Sequence, residues 1–225
     1  MGTDNLFRKR SAKSAKELGR KQAKRAPYDR VLIVCEGEKT EPHYFQELCD
    51  HYRLNSTNIE ISGDCGSAPI NVVERAKELC QIEKRNGIPF DRVYCVFDKD
   101  THSTYRSALQ AVKNAKPKAI FFAINSVPCF EYWLLLHFVD TTKPFYGTKG
   151  SKSAGSQVLD ELKRYIVDYA KGDRGYFEKL IGQLSPAIRR SKCALTSAKA
   201  SGTDNPTTRV HELVEYLQGL GHIDM

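Results

Sequence analysis

Three short runs limit what this chain can fold into. Arg30–Cys35, Arg92–Phe97 and Lys118–Ile124 each pass from a basic residue into an almost unbroken apolar stretch. A strand with one wet face alternates apolar and polar residues, whereas a strand covered on both faces reads as a continuous apolar run. These three therefore call for helices on both sides of one sheet. The intervening residues supply them. Tyr44, Phe45 and Leu48 share a face over Glu41–His51. Val72, Val73, Ala76, Leu79 and Cys80 form a stripe at helical spacing after Pro69, and Asn86-Gly87 closes that helix. Ser103–Ala115 places Tyr105, Leu109 and Val112 inward, and Cys129–Phe138 is an apolar helix carrying Trp133. Asn58–Ser62 alternates like one further strand. Strands alternating with helices argue for βαβ crossovers and a central four-stranded parallel sheet.

The ends of two of these strands carry chemistry. The first runs into Glu36-Gly37-Glu38-Lys39-Thr40-Glu41-Pro42, and the third into Asp98-Lys99-Asp100. Parallel neighbours would deliver both groups to the carboxyl edge of the sheet, where open α/β folds place their ligands. Alternation along a continuing strand would turn Asp98 and Asp100 the same way. Carboxylates so arranged suit a hard divalent cation. Mg²⁺ takes oxygen ligands, keeps several waters and is commonly held by a few carboxylates with a substrate phosphate. Lys39 could meet that phosphate as a point charge, or sit in solvent. His102 is placed to assist proton transfer. Glu131 would face the same edge or simply suit a helix N-terminus. His137, inside an apolar helix, reads as a core histidine.

The same residues resemble a known family. A strand ending in Glu-Gly and a later strand ending in Asp-x-Asp are similar to the Toprim domain of topoisomerases, primases and overcoming-lysogenization-defect nucleases. The similarity is closer to the RloB-like family. It is carried by Ile33–Pro42 with Tyr44-Phe45, by Phe97–Asp100, by Ser126–Phe138 (SVPCFEYWLLLHF), and by Asn205-Pro206-Thr207-Thr208. The resemblance implies a Toprim-like Rossmannoid fold and phosphodiester chemistry dependent on Mg²⁺, with Mn²⁺ as a substitute. It also implies a part in bacterial anti-phage defence beside a separate ABC-type ATPase. Glu36 would act as general acid/base or metal ligand, and Asp98 and Asp100 as metal ligands. Toprim nucleases often carry a further acid four places after the glutamate, where this chain has Thr40. Glu38 and Glu41 flank it. Glu41 joins the expected metal set, with Glu38 and Glu131 as alternatives. The catalytic set is Glu36, Asp98, Asp100 and Lys39. Nuclease action on RNA (tRNA among the targets) or DNA is one reading; a non-catalytic Toprim-like subunit of an ATPase complex is the other. A homo-oligomer is compatible with either.

Charge and composition bound the rest. The net charge is +8, of which residues 1–30 hold +7. A basic arm over 1–27 fits a phosphate backbone or a solubilising tail. Residues 28–139 form the α/β domain. Residues 140–225 come next, with a Gly/Ser/Thr/Lys-rich loop over 140–156 and helices at about 156–170, 175–195 and 206–219. No strand signal appears after 138. Lys149 and Lys152 in that loop could grip nucleic acid. The chain has no long apolar span and no apolar leader, so a cytoplasmic location and no membrane partner are expected. Its seven cysteines show no C-x-x-C pair and read as free thiols. GDCG at 63–66 lacks the lysine of a phosphate-binding loop, so any ATPase is another chain.

Overall fold

The computed structural model describes residues 29–66, 68–147 and 152–221. The basic arm over 1–27 and Lys149 lie outside the described residues. The architecture is mixed α/β, built on a five-stranded sheet in the order β2-β1-β3-β4-β5. Its strands are β1 (Val31–Cys35), β2 (Ile59–Ser62), β3 (Arg92–Asp98), β4 (Phe121–Val127) and β5 (Thr207–Thr208). The first four pair in parallel, and β5 runs antiparallel to the end of β4.

Both faces of the sheet are covered, as the apolar runs require. On one face Leu32, Val34, Val93, Cys95 and Phe97 pack beneath α2 (Pro69–Arg85) and α3 (Tyr105–Asn114). On the other, Val31, Ile33, Tyr94, Val96 and Ile124 meet α1 (Thr40–His51) and α4 (Glu131–Leu135). Into that second layer come α5 (Ala154–Leu162), α6 (Tyr176–Leu180), α7 (Leu184–Ala200) and α8 (Val210–Gly221). Val158, Leu162, Phe177, Val210, Leu213 and Val214 are wholly buried there. The C-terminal helices therefore complete the core rather than decorate it. Trp133 is fully buried within this layer.

Five expectations need correction. The sheet has five strands, not four, because Ser126 and Val127 pair with Thr208 and Thr207. Two residues between loops are too few to show a period of two. The helix expected from 206 consequently starts at Val210. Lys118–Ile120 form a 3-10 turn, and the strand runs from Phe121 to Val127. The polar Asn125 and Ser126 hid its second half, because their side chains are satisfied inside, by the Tyr105 hydroxyl at 2.7 Å and the Thr208 hydroxyl at 3.0 Å. The helix expected over Cys129–Phe138 is regular only from Glu131 to Leu135. Asp-x-Asp does not continue β3: the strand stops at Asp98, and Asp100 lies at φ +30° in the turn beyond it. Among the described residues no helix is long and apolar enough to cross a membrane.

If the C-terminal helices share one core with the sheet, Leu213→Ala should destabilise the entire chain by about 2–5 kcal/mol. Urea denaturation monitored by both tryptophan fluorescence and circular dichroism should show one coincident transition. Separate transitions would mean that α8 folds apart from the sheet.

Candidate active site

The two charged strand ends meet. β1 and β3 are neighbours with Cys35 opposite Val96, so the residues just beyond each strand leave the sheet together. The Glu36 amide donates to the Val96 carbonyl at 2.9 Å. Its side-chain Oε2 accepts the Asp98 amide at 2.9 Å. Asp98 Oδ2 accepts the Phe130 amide at 3.0 Å, tying β3 to the entry of α4. The amides of Lys99 and Asp100 donate to the carbonyls of Ser126 and Pro128, each at 2.9 Å. Backbone groups thus lock three strand ends around one cleft of about 320 Å³, where Glu36, Glu41, Asp98, Asp100, His102 and Lys171 converge.

Two further acids reach this place from helices. Glu41, in the first turn of α1, is buried. Its carboxylate lies against Gly37, where a Cβ would displace it. Glu131 begins α4 and is 2% exposed. Its Oε1 accepts the Tyr169 hydroxyl at 3.2 Å and pairs with Lys171 Nζ at 2.8 Å.

Lys171 is brought in by the turn between α5 and α6. Gly172 and Gly175 hold that turn at φ +86° and +83°, and three residues of α1 fasten it. Thr40 Oγ1 accepts the Gly172 amide at 2.9 Å, His43 Nδ1 lies 3.0 Å from the Gly172 carbonyl, and the Glu47 carboxylate accepts the amides of Gly175 and Phe177 at 2.6 and 3.0 Å. Thr40 is the position where an acid was expected by resemblance. Here its hydroxyl anchors the loop that delivers a lysine.

Packing several carboxylates away from water makes their ionisation costly. Burial raises the Glu36 carboxyl above its usual range, while the Asp98 amide and the nearby His102 oppose that rise. Burial likewise pushes Glu41 to about 7, with Glu131 and Glu36 adding to the effect and Lys171 opposing it. Asp98 is raised well above the carboxylate range by burial and by Glu41 and Glu131. His102 Nε2 stands 3.1 Å from Glu36 Oε1.

Most of the sequence-derived candidates gather here. Glu36, Glu41, Asp98, Asp100 and His102 line the cleft. Asp100 is exposed at its rim. Glu38 is exposed and faces an adjoining pocket with Lys39, whose stem lies along Gly172. His137 is buried, with Nδ1 3.0 Å from the Trp133 carbonyl, and burial lowers it to about 4. Lys152 is exposed and paired with Asp160. Lys171 and Tyr169 escaped notice in the sequence. Their one signal is the glycine-bracketed turn KGDRG at 171–175, which joins two helices and gives no hint of where it docks.

The donor set fits a hard cation in kind: oxygen only, negative, and under mutual repulsion that a cation would relieve. It does not form a cage. Among the described residues no three His, Cys, Asp or Glu side chains are gathered closely enough to enclose a metal ion. Mg²⁺ does not need one, since it keeps waters and takes up substrate oxygens.

The family model of RloB-like proteins matches residues 31–217. The chain belongs to the RloB-like family. No curated protein and no solved structure matches it. The matched region spans all five strands and both covering layers, so the basic arm lies outside the family's common part.

Glu41 tests the electrostatics of the cleft. Its folded value near 7 exceeds the ordinary 4.5, so the folded state holds the proton more tightly. That contribution to stability is full below about 4.5 and is lost as pH rises through 7. In chelator at pH 8, Glu41→Gln should therefore be more stable than wild type, by up to about 3 kcal/mol. The gain should vanish near pH 4.5. Urea titrations at the two pH values measure it; a variant less stable at pH 8 would mean that Lys171 fully compensates the charge.

Proposed function

We propose that this RloB-like protein is a Mg²⁺-dependent nuclease with a Toprim-like active site, hydrolysing phosphodiester bonds in RNA or DNA. In this reading it is the effector of an anti-phage system and works beside a partner ABC-type ATPase. The observation that carries the chemistry is the convergence of Glu36, Asp98 and Asp100, with Glu41 behind them, at the carboxyl edge of adjacent parallel strands.

Glu36, Asp98, Asp100 and Glu41 would hold the cation between them. Bound there, Mg²⁺ would supply positive charge to a phosphoryl oxygen as negative charge develops on it. The residues do the rest. Glu36 Oε1, 3.1 Å from His102 Nε2, would take a proton from an attacking water, and burial keeps it basic enough to do so. The water oxygen bonds to phosphorus, the bond to the leaving oxygen breaks, and His102 can return a proton to that oxygen. Lys171, held at 2.8 Å by Glu131, offers the cleft a fixed cation for the phosphate.

One observation favours a second reading. Lys171 already neutralises part of the acidic cluster, and no three-ligand metal group is present among the described residues. A non-catalytic subunit that docks on an ATPase would need nothing more.

Purified protein with tRNA and with plasmid, alone and with its activated partner, separates the two. With Mg²⁺ it should cut one of them, and chelator should stop it. Asp98→Ala should lower cutting by on the order of 100-fold or more with the fold intact by circular dichroism. No cleavage under any condition would refute the enzyme. Protection against phage that survives Asp98→Ala would support the binding subunit.

A further inference from the structure

A second cavity of the described structure is larger than the carboxylate cleft. It is a groove of about 850 Å³ along the outer edge of β4, between α3 and α7. Upstream of Asn125, β4 has no strand beside it on that edge, because β5 covers only Ser126 and Val127. The groove is joined to the cleft by a third depression of about 460 Å³. The groove and the depression share Thr203 and Asp204. The depression and the cleft share Asp100 and Ser153. One trough therefore runs from the proposed reacting centre over the carboxyl edge and down the side of the sheet.

Its charge is uneven in a telling way. Beyond residue 30 the chain is nearly neutral, yet the groove is lined by Lys113, Lys118, Lys199 and Arg209. Its two acids are already taken: Asp204 by Lys99 at 2.7 Å and Glu212 by Arg209 at 2.5 Å. Lys113, Lys118 and Lys199 are exposed and have no ion-pair partner among the described residues. They approach from three elements: the end of α3, the 3-10 turn before β4, and the end of α7. Between these lysines and the acids stands Tyr146, a large aromatic side chain 61% exposed on the wall of the connecting depression.

We propose that this trough is the track of a single nucleic-acid strand, held by the three lysines through its phosphates and stacked by one base on Tyr146. Cations along a groove track a backbone, and an exposed ring takes a base whatever its sequence. A duplex keeps its bases stacked inside and cannot offer one to Tyr146. The acids repel the strand except where a cation meets its phosphate, so the three lysines supply most of the grip outside the cleft. The proposal deepens the nuclease reading and rests on it for what the strand is for; the binding itself can be tested without any cutting.

The full chain in chelator is titrated with fluorescein-labelled dT15 and U15, and with a hairpin duplex of equal charge, by anisotropy over a range of salt. Lys113→Glu/Lys118→Glu/Lys199→Glu should weaken single-strand binding at least tenfold and reduce the salt slope by about 2, for three phosphates lost at roughly 0.7 each. Tyr146→Ala should weaken it several-fold with an unchanged slope. Lys84→Glu/Arg85→Glu, at the end of α2 and outside the trough, should leave affinity nearly unaltered. Photocrosslinks from 4-thiouridine in U15 should map to the trough. Wild-type affinity and slope in the triple variant, an equal loss in the α2 variant, or duplex bound as tightly as single strand would overturn the proposal. Lysine-dependent binding without cleavage would leave the track standing and remove the chemistry. Cleavage at unchanged KM in the triple variant would do the reverse.

Discussion

The hydrogen bond from the Asp98 amide to the Glu36 carboxylate is the contact around which the site is arranged. It costs the protein a buried negative charge, and it fixes that charge at the junction of two strands. The neighbouring carboxylate repeats the pattern, with Asp98 accepting the Phe130 amide. Each acid is therefore oriented by backbone from a different element. A carboxylate oriented in this way cannot rotate to escape its neighbours, so the repulsion among Glu36, Glu41, Asp98 and Glu131 is stored rather than relaxed. Burial is the main cause of the raised proton affinities of Glu36, Glu41 and Asp98, and the neighbouring acids add to it.

That constraint explains the surroundings. Lys171 approaches Glu131 because a cation lowers the cost of the cluster, and the turn that carries it needs anchors strong enough to hold a lysine there. Thr40 and Glu47 on α1 provide them. Glycine at 37 leaves room for the Glu41 carboxylate to lie against the backbone. The short β5 matters for the same reason. By pairing only with the last two residues of β4, it ties the C-terminal helices to the sheet near the site and leaves the rest of the edge open.

Much of this was legible beforehand. The apolar runs fixed which strands were buried, and the helical stripes fixed what covered them, since period and burial are local properties of the sequence. The gathering of Glu36 with Asp98 came from parallel pairing alone. The reading failed where polar residues are satisfied inside. Asn125 and Ser126 looked like the end of a strand because nothing local reveals the Tyr105 and Thr208 hydroxyls that bond them. Asp100 looked like the continuation of a strand because its positive φ depends on the Pro128 carbonyl.

The sequence by itself thus determined the layered α/β class, the edge at which the acids emerge and the family to which the chain belongs. Those rest on hydrophobic periodicity and on contiguous motifs, which need no partner to be read. Only the tertiary structure decided that Glu41 rather than Glu38 enters the cleft, that Thr40 holds a loop, that Lys171 meets Glu131 across 40 residues of chain, and that the three lysines line one groove. Each of these joins side chains far apart in sequence, and their distances are set by packing.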